Sequence, residues 1–101
     1  MIKMPEQEKE WSKKRGESLM EDLDILLGDL CIIWGFCNGL TGWELVNGGG
    51  KITADHFAGA VLSAEGLPPH EGEAWLPRIK AVFSDRYGEA VSEQSFRETF
   101  P

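Results

Sequence analysis

A regular repeat of apolar residues early in the chain constrains its fold more than any other feature. Within the segment LMEDLDILLGDLCIIWGFCNGL, the intervals four, three, four, three and four separate six residues: Leu19, Leu23, Leu26, Leu30, Ile33 and Cys37. This spacing places the six side chains on one face of an α-helix. Ser18 as N-cap with Glu21 three residues later predicts where the helix begins, and Asn38-Gly39 predicts where it ends. Beyond Leu30 the segment is apolar almost all round, so we expect its second half to be buried or to contact another subunit.

The two cysteines of the chain, Cys31 and Cys37, both fall within this predicted helix. Six helical residues separate them by about 9 Å and turn their side chains toward different faces, so we expect no disulfide between them. We therefore predict reduced, mostly buried thiols in a cytoplasmic protein. The first sixteen residues contain no apolar core typical of a signal peptide, and the longest apolar run, residues 31–36, is too short to span a bilayer.

Three further helices are predicted after residue 50. Thr53 is a favourable N-cap for the first of them, and Ser92 for a short last one. Pro77 lacks an N–H group and is best tolerated in a first helical turn, so the helix between them is predicted to begin near Glu73. Trp34 is expected to be buried against Leu30 and against Ile79 or Phe83. The segment TGWEL, residues 41–45, is compatible with a short helical turn.

Two stretches of the chain, KITADHF and AVSEQSF, share one pattern: an apolar residue, a hydroxyl N-cap, three residues and a phenylalanine. The apolar members, Ile52 and Val91, are 39 residues apart. In spacing and pattern the stretches resemble the loops of paired EF-hands, in which the sixth loop residue is a glycine, here Gly50, and the eighth is apolar and pairs with the sister loop. The resemblance covers residues 18–101 and implies a short two-stranded contact between Ile52 and Val91.

The residues that bind calcium in an EF-hand are missing from both loops. The first, fifth and twelfth positions, where the family uses mainly carboxylates, are occupied here by Leu45, Gly49 and His56 in one loop and by Ser84, Gly88 and Ser95 in the other. His56 and His70 also lack a cysteine or histidine at metal-ligand spacing. We therefore predict no metal site, no cofactor and no catalytic residues.

The predicted fold is all-α, with four helices arranged as two EF-hand-like helix-loop-helix units and a minimal two-stranded contact between their loops. A simple four-helix domain without EF-hand ancestry is the alternative. Residues 1–16 are predicted to form a charged amino-terminal tail, and residues 17–101 a single helical domain.

The formal net charge is −7, which argues against general binding to nucleic acid or to an anionic membrane surface. Residues 1–16 carry a net charge of +2, whereas residues 17–101 carry −9. Between Gly16 and Gly50 there is no base and there are six acids: Glu17, Glu21, Asp22, Asp24, Asp29 and Glu44. Acids favour the first turns of helices and solubility. Alternatively, the six acids bind a basic protein partner, and five of them form rows of charge opposite the apolar stripe of the predicted helix, with Glu17, Glu21 and Asp24 on one face and Asp22 and Asp29 on another.

These features predict a small acidic protein-interaction module without enzymatic activity. In size and charge the chain resembles phage or mobile-element inhibitors such as anti-CRISPR proteins, which block basic nucleic-acid-handling proteins. The resemblance implies a protein partner with a basic surface and no direct binding of nucleic acid. Two alternatives are a homodimeric structural or regulatory subunit joined through residues 31–36, and a degenerate calcium-sensor-like domain.

Overall fold

The structure, a computed structural model, describes residues 11–47 and 50–99. This part of the chain is mostly helical, with a small two-stranded antiparallel sheet. Its elements are α1 (Leu19–Trp34), α2 (Gly42–Val46), β1 (Lys51–Thr53), α3 (Ala54–Glu65), α4 (Pro69–Tyr87), β2 (Ala90–Ser92) and α5 (Glu93–Thr99). The predicted tail up to Glu10 and the loop position at Gly49 lie outside the described residues. None of the helices described here is long and apolar enough to cross a membrane.

Hydroxyl side chains cap the amino-terminal ends of four helices. The side-chain oxygens of Ser18, Thr53 and Ser92 accept hydrogen bonds from the backbone N–H groups three residues later, which confirms the predicted N-caps of α1, α3 and α5. Thr41 caps α2 in the same way. The segment that was compatible with a helical turn is therefore a separate helix, which brings the described helices to five instead of the predicted four.

Helix α1 ends at Trp34, so the predicted end at Asn38-Gly39 is wrong. Gly35 adopts a left-handed conformation with φ 78°, and its N–H group donates to the carbonyl oxygen of Cys31 at 2.9 Å. Left-handed backbone favours glycine, and this bond closes an αL-type C-cap. The chain therefore reverses direction four residues earlier than expected.

The reversal brings the two cysteines together. Cys31 and Cys37 form a disulfide with their Cα atoms 4.4 Å apart, so the prediction of two reduced thiols is wrong. The error follows from the helix boundary, because the separation of about 9 Å holds only if all six residues continue the helix.

Helix α4 begins at Pro69, so the predicted start near Glu73 is also wrong, and Pro77 lies inside the helix. Pro69 suits a first turn, where backbone N–H groups have no intrahelical acceptor. Pro77 removes one bond to the carbonyl oxygen of Glu73, and both residues are exposed, so water can reach that carbonyl. The loss of one hydrogen bond is tolerated because α4 packs along α3.

Strands β1 and β2 are antiparallel and pair Ile52 with Val91, which confirms the predicted contact. Both side chains are buried, and the N–H group of Ala54 extends the pairing to the carbonyl oxygen of Glu89. The sheet therefore joins the unit α2–β1–α3 to the unit α4–β2–α5.

The core lies between α1, α3, α4 and α5. Four of the six residues in the apolar repeat are buried, namely Leu19, Leu23, Leu26 and Leu30, and the largest fully buried side chains are Phe57, Phe83 and Phe96. Trp34 is only half-buried, so its predicted complete burial is wrong. It lies at the end of α1, where its ring packs against Trp11 and Trp75.

Candidate functional site

The six acids of the base-free segment do not form one surface. Glu17, Glu21 and Asp24 are exposed around the first turns of α1, and Glu44 is exposed on α2. These four residues form what we call the acidic face. Of the remaining two acids, Asp29 is half-buried and Asp22 is buried.

Asp22 is fully buried, so its predicted role in contacting a partner is wrong. Its Oδ2 atom accepts hydrogen bonds from Arg86 Nε at 2.8 Å and from the Tyr87 hydroxyl at 2.7 Å. Its Oδ1 atom accepts from Arg86 Nη2 at 3.0 Å and from the backbone N–H of Gly16 at 2.9 Å. A carboxylate with four such partners is fully engaged inside the protein.

This network shifts the pKa values of its members. Burial by itself would raise the pKa of the Asp22 carboxyl, but hydrogen bonds from Arg86, Tyr87 and Gly16 hold that pKa below its usual range. Burial would lower the pKa of the Arg86 guanidinium, and the adjacent carboxylate raises it instead. Burial and the hydrogen bond to Asp22 both raise the pKa of the Tyr87 hydroxyl. Asp22 and Arg86 are therefore a charged pair with a neutral tyrosine.

Residues 11–16 lie against this pair, and we call them the strap. Arg86 donates from Nη1 to the carbonyl oxygen of Ser12 at 2.9 Å and from Nη2 to that of Lys14 at 2.8 Å. The N–H group of Ser12 donates to Asp29 Oδ2 at 2.8 Å. The described part of the predicted tail is thus bound to α1 and α4.

Aromatic side chains hold the other end of the strap. The Trp11 ring packs edge-on against Trp34 at 5.1 Å between centroids, and Trp34 packs against Trp75 at 4.9 Å. The guanidinium carbon of Arg78 lies 4.3 Å from the centre of the Trp75 ring and 5.1 Å from that of Trp34. The disulfide lies beside this cluster, because Trp34 and Phe36 belong to the loop that it closes.

An open groove of about 520 Å³ separates the strap from the acidic face. Its lining includes the basic residues Lys14 and Arg15 on the strap and the acids Glu17, Glu21 and Asp24. Strap cations and acids of α1 thus face one groove, although the strap was predicted only as a free charged tail.

Two acids of the acidic face also stabilise local structure. A Glu21 oxygen accepts from the N–H group of Glu17 at 3.0 Å, which completes a variant of the predicted capping box. Asp24 Oδ1 accepts from the N–H group of Gly42 at 2.6 Å and so fastens the start of α2 to α1. The next residue, Trp43, has 57% of its surface exposed. A large exposed indole and the exposed Glu44 are therefore both carried by the short helix that Asp24 joins to α1.

Sequence reasoning did not identify Arg86 or Tyr87 as candidate site residues. For Arg86 a signal was present, since it follows Ile79 and Phe83 at helical spacing and so falls on the apolar face of α4. Asp22 likewise lies between Leu19 and Leu26 on the apolar stripe. A charge on the buried face of each of two helices is the pattern of a buried ion pair.

The described residues contain no group of three or more histidines, cysteines or acids that could hold a metal ion. No family model matches the chain, and neither the curated proteins nor the solved structures contain a match to it. Functional inference therefore depends on the geometry of the acidic face and the strap.

Proposed function

We propose that this protein is a small, non-enzymatic protein-binding module whose acidic face, together with Trp43, binds a basic partner. The observation that carries the proposal is the exposed indole of Trp43 on α2, the short helix that also carries the exposed Glu44 and whose first residue is hydrogen-bonded to Asp24. A lysine or arginine side chain can pair with these carboxylates and place its charge over the indole face. Exposed tryptophans that meet arginines are also typical of the residues that dominate binding energy at interfaces.

Net charge supports a partner that is strongly basic. The chain carries a formal charge of −7, so its association with a cationic surface would be accelerated by long-range attraction and slowed by salt. A protein channel that is rich in lysine and arginine and normally holds nucleic acid has the charge that such a partner needs. We therefore propose an inhibitor of the anti-CRISPR type, from a phage or mobile element, as the biological setting.

The test uses a defined probe, an oligo-arginine peptide, and isothermal titration calorimetry at low and at high salt. Glu17→Lys and Glu44→Lys together, and Trp43→Ala separately, alter exposed side chains of the site. Each is expected to weaken binding by about tenfold or more, equivalent to about 1.4 kcal/mol. The control carries the same charge change at two exposed acids of α4, Glu73→Lys and Asp85→Lys. If control and site variants lose affinity equally, only net charge matters and the acidic face is not a specific site.

A homodimeric structural or regulatory subunit is the second candidate, and the exposure of Ile32 favours it. This residue lies in the proposed contact segment 31–36, and 78% of its surface is exposed. In a symmetric dimer two such side chains could bury each other. Sedimentation velocity over a range of concentrations should then show a dimer that Ile32→Asp converts to a monomer. A wild-type protein that is monomeric throughout would exclude this candidate.

The proposed EF-hand-like organisation is supported by the two units α2–β1–α3 and α4–β2–α5. Each contains a helix, a loop, a short strand and a second helix, and the strands pair with each other. The entering helix of the first unit, α2, has only five residues. We propose that the units serve as a scaffold, since the loop positions named above offer no carboxylate to calcium.

A further inference from the structure

The strap is bound chiefly through its backbone. The domain contacts the carbonyl oxygens of Ser12 and Lys14 and the N–H groups of Ser12 and Gly16. The contacts thus fall on residues 12, 14 and 16. The side chains of Lys13 and Lys14 are exposed. These contacts recognise the backbone of the strap and involve few of its side chains. Other peptide-binding sites also recognise their ligands through main-chain hydrogen bonds.

Two features of the strap do carry sequence information. Trp11 inserts its ring against Trp34 at one end. At the other end, three cations follow one another at residues 13–15, and Arg15 Nη1 lies 3.6 Å from Asp22 Oδ2. An aromatic anchor and a basic run are therefore the chemistry that this surface accepts.

We propose that the surface between α1 and α4 is a binding site for a peptide segment with an aromatic residue followed by a short basic run. In the structure the protein's own strap occupies this site, and a partner segment of the same chemistry displaces it. The inference rests on the proposed function, because the displaced strap would uncover the groove beside the acidic face. It adds that the partner is recognised in part through its backbone, by Arg86 and Asp29.

The site is suited to exchange between an internal and an external segment. The groove has strap cations and acids of α1 in its lining, so a bound strap neutralises part of the charge that attracts a basic partner. Because the strap is joined to α1 through Glu17 and Ser18, its effective concentration at the site is in the millimolar range. An external segment therefore competes well only when the strap is weakened or when the segment makes further contacts with the acidic face.

The test uses a synthetic peptide with the sequence of the strap, Trp-Ser-Lys-Lys-Arg-Gly, blocked at both ends. Two full-length variants weaken the strap: Trp11→Ala removes the anchor, and Ser12→Pro removes the N–H group bound to Asp29. Both are expected to bind the peptide about tenfold more tightly than the wild type, because the internal competitor is lost. Lys51→Gln is the control, since its side chain is exposed on β1, outside the strap, and the affinity of this variant should stay within about twofold of wild type.

Peptide controls separate the two recognition elements. A peptide with alanine in place of tryptophan, and one with glutamates in place of the three basic residues, are each expected to bind about tenfold more weakly. If either control peptide binds the Trp11→Ala protein as tightly as the unmodified strap peptide does, the proposed chemistry of the site is wrong.

A measurement on the wild-type protein makes the test independent of the folding of the variants. At saturating peptide, hydrogen exchange at the amides of Ser12 and Gly16 should accelerate, since both are hydrogen-bonded only while the strap is bound. Unchanged exchange, or variants that bind the peptide no better than wild type, would refute displacement. If the peptide fails to bind while oligo-arginine binds at the acidic face, this inference fails alone. If the strap peptide binds, but the variant with Glu17→Lys and Glu44→Lys binds oligo-arginine as well as the wild type does, only the proposed function fails.

Discussion

At the scale of single residues, Asp22 and Arg86 determine how three segments meet. Asp22 belongs to α1, Arg86 to the last turn of α4, and both side chains are buried. Arg86 binds both carboxylate oxygens and still has donors for two carbonyl oxygens of the strap. One ion pair therefore holds α1, α4 and the strap together, which is possible because a guanidinium offers five donors in a fixed plane.

Removal of one partner from this pair should destabilise the protein strongly. Asp22→Ala leaves the Arg86 charge and the Tyr87 hydroxyl buried without their acceptor, and we expect a loss of about 3–5 kcal/mol in the free energy of unfolding. Asp55→Ala is the control, because its ion pair with Lys80 lies at the surface, and surface pairs contribute under about 1 kcal/mol. Urea denaturation of both variants measures the difference. Similar losses would mean that the buried pair is not central to stability.

The pH dependence of stability follows from the lowered pKa of Asp22. An unfolded aspartate has a pKa of about 3.9, so as the pH falls the unfolded chain takes up the proton before the folded one does. The Asp22 carboxylate makes its full contribution to the free energy of unfolding above about pH 5. This contribution is lost progressively as the pH falls through the pKa that Asp22 has in the folded protein. In unfolding measurements from neutral to acid pH, the stability advantage of wild type over Asp22→Asn should therefore shrink below about pH 4. A difference that stays constant would contradict the lowered pKa.

At the scale of elements, the junction of α1 with α2 requires a glycine at Gly42, whereas Gly28 of α1 is required by no contact. Gly42 begins α2 and approaches α1 so closely that an added Cβ would overlap the carbonyl oxygen of Met20. Gly28 lies in the middle of α1 on an exposed face, and an added Cβ would meet nothing within 4 Å. The same substitution should therefore have opposite effects at the two positions.

Gly42→Ala is expected to lower the free energy of unfolding by about 1–3 kcal/mol, because the backbones of α1 and α2 must separate. Gly28→Ala is expected to raise it by about 1 kcal/mol, because alanine is the better helix former and no neighbour is disturbed. Thermal and urea unfolding of the two variants measure both signs. A stabilised Gly42→Ala protein would show that α2 does not pack on α1 in this way.

The disulfide acts at the same scale, at the end of α1. It closes a loop of only seven residues, for which the chain-entropy treatment predicts a stabilisation of about 2 kcal/mol. Because Gly35 already ends α1 through its own cap, Cys31→Ser with Cys37→Ser should lose about that amount while keeping the far-ultraviolet circular dichroism of the wild type. A gain of helical signal in this variant would mean that the disulfide, and not the glycine cap, determines the end of α1.

At the scale of the whole molecule, the disulfide and the charge distribution bear on where and how the protein acts. Lasting disulfides are typical of oxidising compartments, whereas in the cytoplasm such bonds are usually transient. The cytoplasmic location therefore stays a prediction. The segment between Gly16 and Gly50 has no base of its own, and the strap supplies cations to one side of the groove beside it.

Calcium should not stabilise the protein. The loop positions that offer strong ligands in an EF-hand have no carboxylate here, so we expect the melting temperature to be unchanged, within about one degree, on addition of sub-millimolar calcium. Differential scanning calorimetry with calcium, and with a chelator as control, makes the measurement. Stabilisation by several degrees would restore the calcium-sensor alternative.

The sequence by itself determined the features that depend on neighbouring residues. Ser18 and Thr53 cap their helices through a hydrogen bond from an N–H group three residues later. This interaction is local, so the sequence alone predicts it. The pairing of Ile52 with Val91 was also predictable, because the same short pattern occurs twice and each copy places one apolar residue before an N-cap. For the candidate site, sequence analysis named the four acids that are exposed, Glu17, Glu21, Asp24 and Glu44.

Only the tertiary structure decided which of the six acids is buried and that the two cysteines meet. Asp22 and Asp24 are two residues apart with the same carboxyl group, yet one meets Arg86 from a helix 64 residues away and the other faces solvent. The disulfide likewise depended on one glycine ending α1 early. The sequence pattern places Asp22 and Arg86 on the apolar faces of their helices, but whether the two charges meet depends on a distance that exists only once the chain has folded.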